Sequence, residues 1–262
     1  MIIDGHAHVI LPVEQQLALM EKAGVERTVL FMTSVHPERA SDLTAFEKEM
    51  ATLTAIISGQ RNGSQATFER SAQEHIKIVQ AYPARFIGFG GVPVGLTHQA
   101  TAECLQKYVL EPGMRGIGEF TLAPGQIDLL EPIFALSSET GNLPLWVHTF
   151  IPLTLEDIRA LIRLSQRYAS VPLILGHLGG LNWIETIKLA KELPQTYLDL
   201  SATYTTLAPT LAIRELPERS LFSSDAPYGN PLVARTMVEQ ATTDPGIRKL
   251  VLGENMARLV TR

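Results

Sequence analysis

The chain has 262 residues, a length that suits one α/β barrel domain as well as two small domains. An apolar share of 45% against 19% charged residues provides for a full core and excludes a disordered chain. With 22 Lys and Arg against 27 Asp and Glu, the net charge of -5 leaves no basic excess, which argues against nucleic acid or an anionic membrane as the main partner.

Met1-Ile2-Ile3 opens a short β-branched run, read as the first strand, that ends in Asp4-Gly5-His6-Ala7-His8. Residues two apart on a strand share a face, so Asp4, His6 and His8 are expected to stack along one side and offer a metal clamp. The alternative is a histidine pair without a ligand. Val13, Leu17, Met20 and Ala23 follow at helical spacing, and Gly24 supplies a stop. Residues 28–32 read as a second, buried strand.

The next connection, 34–85, has room for two helices, predicted at 45–58 and 68–82 on either side of a polar turn at 59–65. It is either a helical lid that selects substrate, with Arg61 placed to meet an acidic group, or an extra packing helix. Strand-like runs then recur at 86–94, 116–122, 143–149, 171–178, 196–201 and 220–224, with helical patterns at 100–110, 129–140, 155–168 and 183–192. Eight strands alternating with helices, apolar on both faces, predict a parallel sheet covered by helices. The fold expected is a TIM-type (β/α)8 barrel spanning 1–262, distorted by a helical insertion after the second strand. A doubly wound open sheet is the runner-up, but no Gly-rich phosphate loop follows the first strand.

Cys104 is the one cysteine, which excludes an intrachain disulfide, suits a reducing cytosol, and reads as a packed thiol on a helix. No apolar run approaches the ~20 residues of a membrane span, and no basic-then-apolar leader opens the chain. A cytoplasmic protein is expected.

In such a barrel, chemistry sits at the C-terminal ends of the strands. Strand one ends in His6 and His8, strand four in Glu119, strand five in His148, strand six in His177 and strand eight in Asp225. These ionisable groups drawn to one mouth are costly unless a cation compensates them, so a divalent metal is expected there. Asp4, one step deeper, is expected to orient a metal-binding histidine, and Trp146 to face away from His148. Glu254 and Asn255 are expected to cap the final helix.

These motifs resemble the amidohydrolase superfamily, in particular its amidohydrolase-related (amidohydrolase 2) branch. The resemblance rests on Asp-x-His-x-His at 4–8, His148, His177 and Asp225. It extends over the segment 82–89, Gly176-His177-Leu178-Gly179-Gly180 and the stretch 253–259, and so covers the whole chain. It implies a metal-dependent barrel enzyme, usually with zinc, in which His6, His8, His148 and Asp225 are ligands. Decarboxylases of the branch typically hold one ion and lack a carboxylate at the end of strand four. Two-metal hydrolases of the superfamily place a Glu or carboxylated Lys there as a bridge, so Glu119 favours two ions.

A carboxylate can span two divalent ions about 3.5 to 4 Å apart and help lower the pKa of a shared water. One ion would take His6, His8, Glu119 and Asp225, the other Glu119, His148 and His177. With a single ion, His148 moves to it and His177 becomes an acid or base. The expected reaction is attack of activated water on an amide, lactone or other ester bond of a small molecule. Asp225 would orient that water and pass its proton to the leaving group. The alternatives are a nonoxidative decarboxylase of a small aromatic or unsaturated acid with a single metal, and a non-catalytic metabolite-binding barrel. Zinc, manganese and iron all accept such ligands, and a homodimer would follow the commonest symmetry of soluble oligomers.

Overall fold

The computed structural model describes residues 1–59 and 64–261. Eight parallel strands run in chain order: β1 Ile3–His8, β2 Arg27–Phe31, β3 Phe86–Gly90, β4 Gly116–Phe120, β5 Leu145–His148, β6 Leu173–Gly176, β7 Thr196–Asp199 and β8 Ser220–Leu221. The ladder of β8 stops two residues in, earlier than the apolar run 220–224 predicts. Backbone hydrogen bonds carry the closure onward: Gly5 N–H donates to Phe222 O, Asp225 N–H to His6 O and His8 N–H to Ala226 O, each at 2.8 Å. The result is a nearly closed TIM barrel, the architecture the alternation predicts.

The strands are apolar on both faces because each separates two cores. Val29 and Phe31 of β2 point into the barrel with Ile3, Ile87, Phe89, Trp146, Ile174 and Leu221, against which Met256, Leu259 and Val260 of the last helix pack. Leu30, Leu145, Val147, Leu173 and Leu175 face the surrounding helices instead. Those helices are α1 Val13–Ala23, α2 Leu43–Ile57, α3 Gln65–Ala81, α4 His98–Leu105, α5 Glu131–Glu139, α6 Leu155–Arg167, α7 Trp183–Glu192, α8 Leu207–Glu215, α9 Pro231–Ala241, α10 Pro245–Lys249 and α11 Asn255–Val260.

Local chemistry sets their ends. Gly24 closes α1 at φ +64°, and Thr154 with Asp157 forms a reciprocal capping box at the start of α6. The two helices of the 34–85 connection begin two and three residues earlier than hydrophobic spacing suggests, because Asp42 and Ser64 cap them through Ala45 N–H and Thr67 N–H. No residue of α2 is buried, whereas α3 buries Ser71, Ala72, His75 and Ile76, and a ring nitrogen of His75 lies 2.8 Å from Leu30 O. Residues 60–63, Arg61 among them, lie outside the described residues. Glu254 and Asn255 do not cap α11: the Asn255 amide donates to Pro217 O and Ser220 O at 2.8 Å and ties that helix to β8, while Glu254 pairs with Lys249 at 2.7 Å. No described helix is long and apolar enough to cross a membrane.

Candidate metal centre

Two irregularities in the ladder aim the candidate side chains. In β1 the register slips between Asp4 and Ala7, so three residues of advance face two on β2. His6 and His8 thereby turn into the barrel, where His6 is wholly buried between Phe31 and Trp146, ring centroids 4.8 and 4.2 Å away. A matching slip in β4, between Ile117 and Phe120, turns Glu119 inward. Gly118 makes it possible: its φ of +149° suits glycine, and a Cβ there would lie 2.7 Å from the Trp146 carbonyl oxygen.

His148 ends β5, and His177 and Asp225 follow β6 and β8 with left-handed φ of +58° and +56°. Such backbone costs about 1–3 kcal/mol per residue and concentrates where side chains must point into a site. The Glu119 carboxylate stands at the centre. Its Oε2 lies 3.3 Å from His8 Nε2 and 3.5 Å from His6 Nε2. Its Oε1 lies 3.0 Å from His148 Nδ1 and 3.6 Å from His177 Nε2. Asp225 Oδ1 adds to the first pair, 3.4 Å from His8 Nε2 and 3.8 Å from His6 Nε2. The structure thus brings all six predicted side chains to one mouth.

Charge is balanced tightly here. Burial works to raise the Glu119 carboxyl, but the four imidazoles around it, His148, His177, His6 and His8, hold it well below the usual carboxylate range. Asp225 is likewise lowered, its burial outweighed by His6, His8 and His177. Burial opposes the charged imidazole of His8, yet Asp225 and Glu119 push it up to about 10, and the same carboxylates raise His6. Tyr228, edge-on to His8 at 5.8 Å, has its phenol pushed up by burial and then by Asp225, Glu119, Glu38 and Glu49.

The donor set fits a divalent cation. Two groups of ligand atoms, His6 with His8 and Glu119, and Glu119 with His148 and His177, each lie within 4.8 Å of one another. Among the described residues, both ring nitrogens of His6 and Nδ1 of His8 are buried without a hydrogen-bond partner, and a bound cation would relieve the one of them that faces the site, His6 Nε2.

Two expectations need correction. Asp4 orients no imidazole: Ser224 donates to it from backbone N at 2.8 Å and from Oγ at 2.5 Å, and His6 N–H donates to it at 3.2 Å. The register slip removes it from the row of His6 and His8, and it stitches β1 to the end of β8. Burial pushes its carboxyl up to about 7. Trp146 does not face away from His148; residues two apart share a strand face, and its ring packs on His6 and His177. The carboxylate nearest Nδ1 of His6 is Asp199, at 3.8 Å. It ends β7, so the strand-end rule applied to β1, β4, β5, β6 and β8 would have found it.

Residues 3–262 match the model of the amidohydrolase family Amidohydro_2. The chain belongs to that family. It is accordingly an enzyme of the amidohydrolase superfamily, a metal-dependent group. No curated protein matches it. Among solved structures it is similar to 2,6-dihydroxybenzoate decarboxylase from Rhizobium, at 18% identity and a TM-score of 0.71 over 99% of this chain and 98% of that one. It is also similar to dihydroxybenzoic acid decarboxylase from Polaromonas sp. JS666 with bound manganese and 2-nitroresorcinol, at 18% identity and a TM-score of 0.71 over 99% and 96%. A third is 4-oxalomesaconate hydratase from Rhodopseudomonas palustris, at 18% identity and a TM-score of 0.64 over 100% and 96%. At such identities the likeness establishes the amidohydrolase-type barrel and leaves the reaction to the site.

Proposed function

We propose that this amidohydrolase is a metal-dependent hydrolase of a small molecule, cleaving an amide, lactone or other ester bond at a two-ion site bridged by Glu119. The observation that carries this reading is the division of one carboxylate: Oε2 faces His6 and His8, and Oε1 faces His148 and His177. His6, His8, Glu119 and Asp225 would hold one ion, and Glu119, His148 and His177 the other. Zinc suits this mixture of imidazole and carboxylate donors, with manganese next. When bound, such ions supply a Lewis acid that lowers the pKa of water and offsets charge developing on the substrate oxygen.

The chain's own groups do the rest. Asp225, kept ionised by its imidazole neighbours, orients the attacking water, accepts its proton on the carboxylate and returns it to the leaving group. His148 and His177 each place one nitrogen beside Glu119 Oε1, where with that oxygen they would hold the second ion. We read 1–262 as one cytoplasmic barrel domain, with a lid in the 34–85 connection carried by the unburied α2, while α3 packs on the barrel.

Metal content per chain tests the bridge. Two equivalents of zinc on the wild type, falling to one or fewer in Glu119→Ala, are expected, together with turnover of a member of a lactone, amide and ester panel. One equivalent untouched by that substitution, with carbon dioxide released from a small aromatic acid, would overturn it in favour of a single-ion nonoxidative decarboxylase. That second reading has the named activities of the Rhizobium and Polaromonas structures in its favour.

A further inference from the structure

Asp199 is fully buried behind the metal centre, and its two oxygens are engaged by different partners. Oδ1 accepts from His177 N–H at 3.1 Å, from Ser201 N–H at 2.9 Å and from the Ser201 hydroxyl in a short hydrogen bond. Oδ2 accepts from Trp146 Nε1–H at 3.3 Å and faces His6 Nδ1 at 3.8 Å. A serine hydroxyl has one proton, and here it points at the carboxylate. The Ser201 oxygen is left as an acceptor, and 2.9 Å from it stands His177 Nδ1. Only Nδ1–H can satisfy that contact. The proton of a neutral His177 ring is therefore committed to Nδ1, and the Nε2 lone pair is aimed at Glu119 Oε1.

We propose that Asp199 and Ser201 are positioning residues that lock the tautomer of His177 through the chain Asp199–Ser201–His177, and that Asp199 biases His6 toward the same tautomer by facing its Nδ1. The bias on His6 is electrostatic, since 3.8 Å exceeds a hydrogen bond. One buried carboxylate thereby sets one ring in each half of the centre, leaving both Nε2 atoms free to bind a cation. Trp146 fixes the carboxylate in turn: its indole N–H holds Oδ2, and its ring lies against both His6 and His177. Gly176 admits that ring, since a Cβ there would meet Trp146 Cη2 at 2.0 Å.

The metal-binding consequence rests on the proposed two-ion reading; the tautomer does not, so the two can fail separately. Ring 15N spectra of histidine-labelled, metal-free protein at mildly alkaline pH read the tautomer directly. His177 is expected to carry its proton on Nδ1 in the wild type and in Ser201→Thr, which keeps the hydroxyl. Ser201→Ala and Asp199→Asn are expected to move part of the population to Nε2–H. Zinc titration of the same variants is expected to show the weaker equivalent losing about 10- to 100-fold in affinity, restored in Ser201→Thr. A wild-type His177 ring with a proton on Nε2 overturns the proposal and needs no variant to fold. So does an unchanged Nδ1–H preference in both Ser201→Ala and Asp199→Asn. An intact tautomer shift with one equivalent of zinc throughout would keep the positioning role and sink the two-ion reading instead.

Discussion

The two histidine pairs around Glu119 are held by opposite means. His148 and His177 are moored from behind: His148 Nε2 donates to Ile151 O at 3.0 Å and His177 Nδ1 meets Ser201 Oγ at 2.9 Å, so each ring has one committed nitrogen. His6 and His8 have no such mooring, and among the described residues neither nitrogen of His6 nor Nδ1 of His8 has a hydrogen-bond partner. They are positioned by packing against Phe31, Trp146 and Tyr228 and by the charge of Glu119 and Asp225. A site can thus orient its rings through hydrogen bonds or through shape and charge. The second way leaves His6 Nε2 unpartnered on the site side, where a bound cation would compensate it.

The largest expected effect strikes the charged half. Asp225→Asn keeps the shape beside His6 and His8 but removes the proposed base, and kcat for the hydrolysed substrate is expected to fall about 100- to 10,000-fold. Steady-state kinetics check it, and near-wild-type turnover would deny Asp225 that role. His148→Ala removes a moored ring. Metal analysis is expected to find one zinc equivalent lost and one retained at His6 and His8, with loss of both showing that the halves are not separable.

The scaffold beneath the site has an acid sensitivity of its own. Burial outweighs the bond to Leu30 O and drives His75 down to about 4 from an ordinary 6.5. Between those values the unfolded chain binds the proton and the folded chain does not, so the His75 contribution to stability is complete above pH 6.5 and is lost as pH falls toward 4. The loss is expected to reach about 3 kcal/mol. Asp4, its carboxyl raised to about 7, pulls stability the opposite way over that window, so the difference between metal-free wild type and His75→Gln in urea unfolding isolates the His75 share; an equal slope in both proteins would rule it out. The smallest effect expected is that of Trp146→Phe, which keeps an aromatic ring but strips Oδ2 of Asp199 of its N–H donor. A stability loss of about 1–3 kcal/mol is expected by denaturant titration, and an unchanged midpoint would mean that the indole N–H is replaced by another donor.

Much of the fold was legible because a parallel sheet between two cores writes continuous apolar runs into the chain, as at Leu145-Trp146-Val147 and Leu173-Ile174-Leu175. Helix starts were displaced where a cap, Asp42 or Ser64, precedes the apolar spacing. The short β8 escaped because its apolar residues continue past the point where the ladder gives way to the turn toward Asp225. Polar residues ending apolar runs marked His6, His8, Glu119, His148, His177 and Asp225, and the structure gathers them. Asp199 ends β7 in the same way, a polar residue closing an apolar run that carries the same signal.

From sequence alone came the succession of eight strands, the kinship with the amidohydrolases and the set of polar strand ends, since these follow from residue type and local spacing. Tertiary structure alone decided which oxygen of Glu119 faces which imidazole, that Asp4 serves β8, and that Asp199 stands behind His6 and His177. The reason is geometric: strand alternation fixes a face only while the register is regular, and the slips in β1 and β4 re-aim side chains by an amount that only the neighbouring strands define.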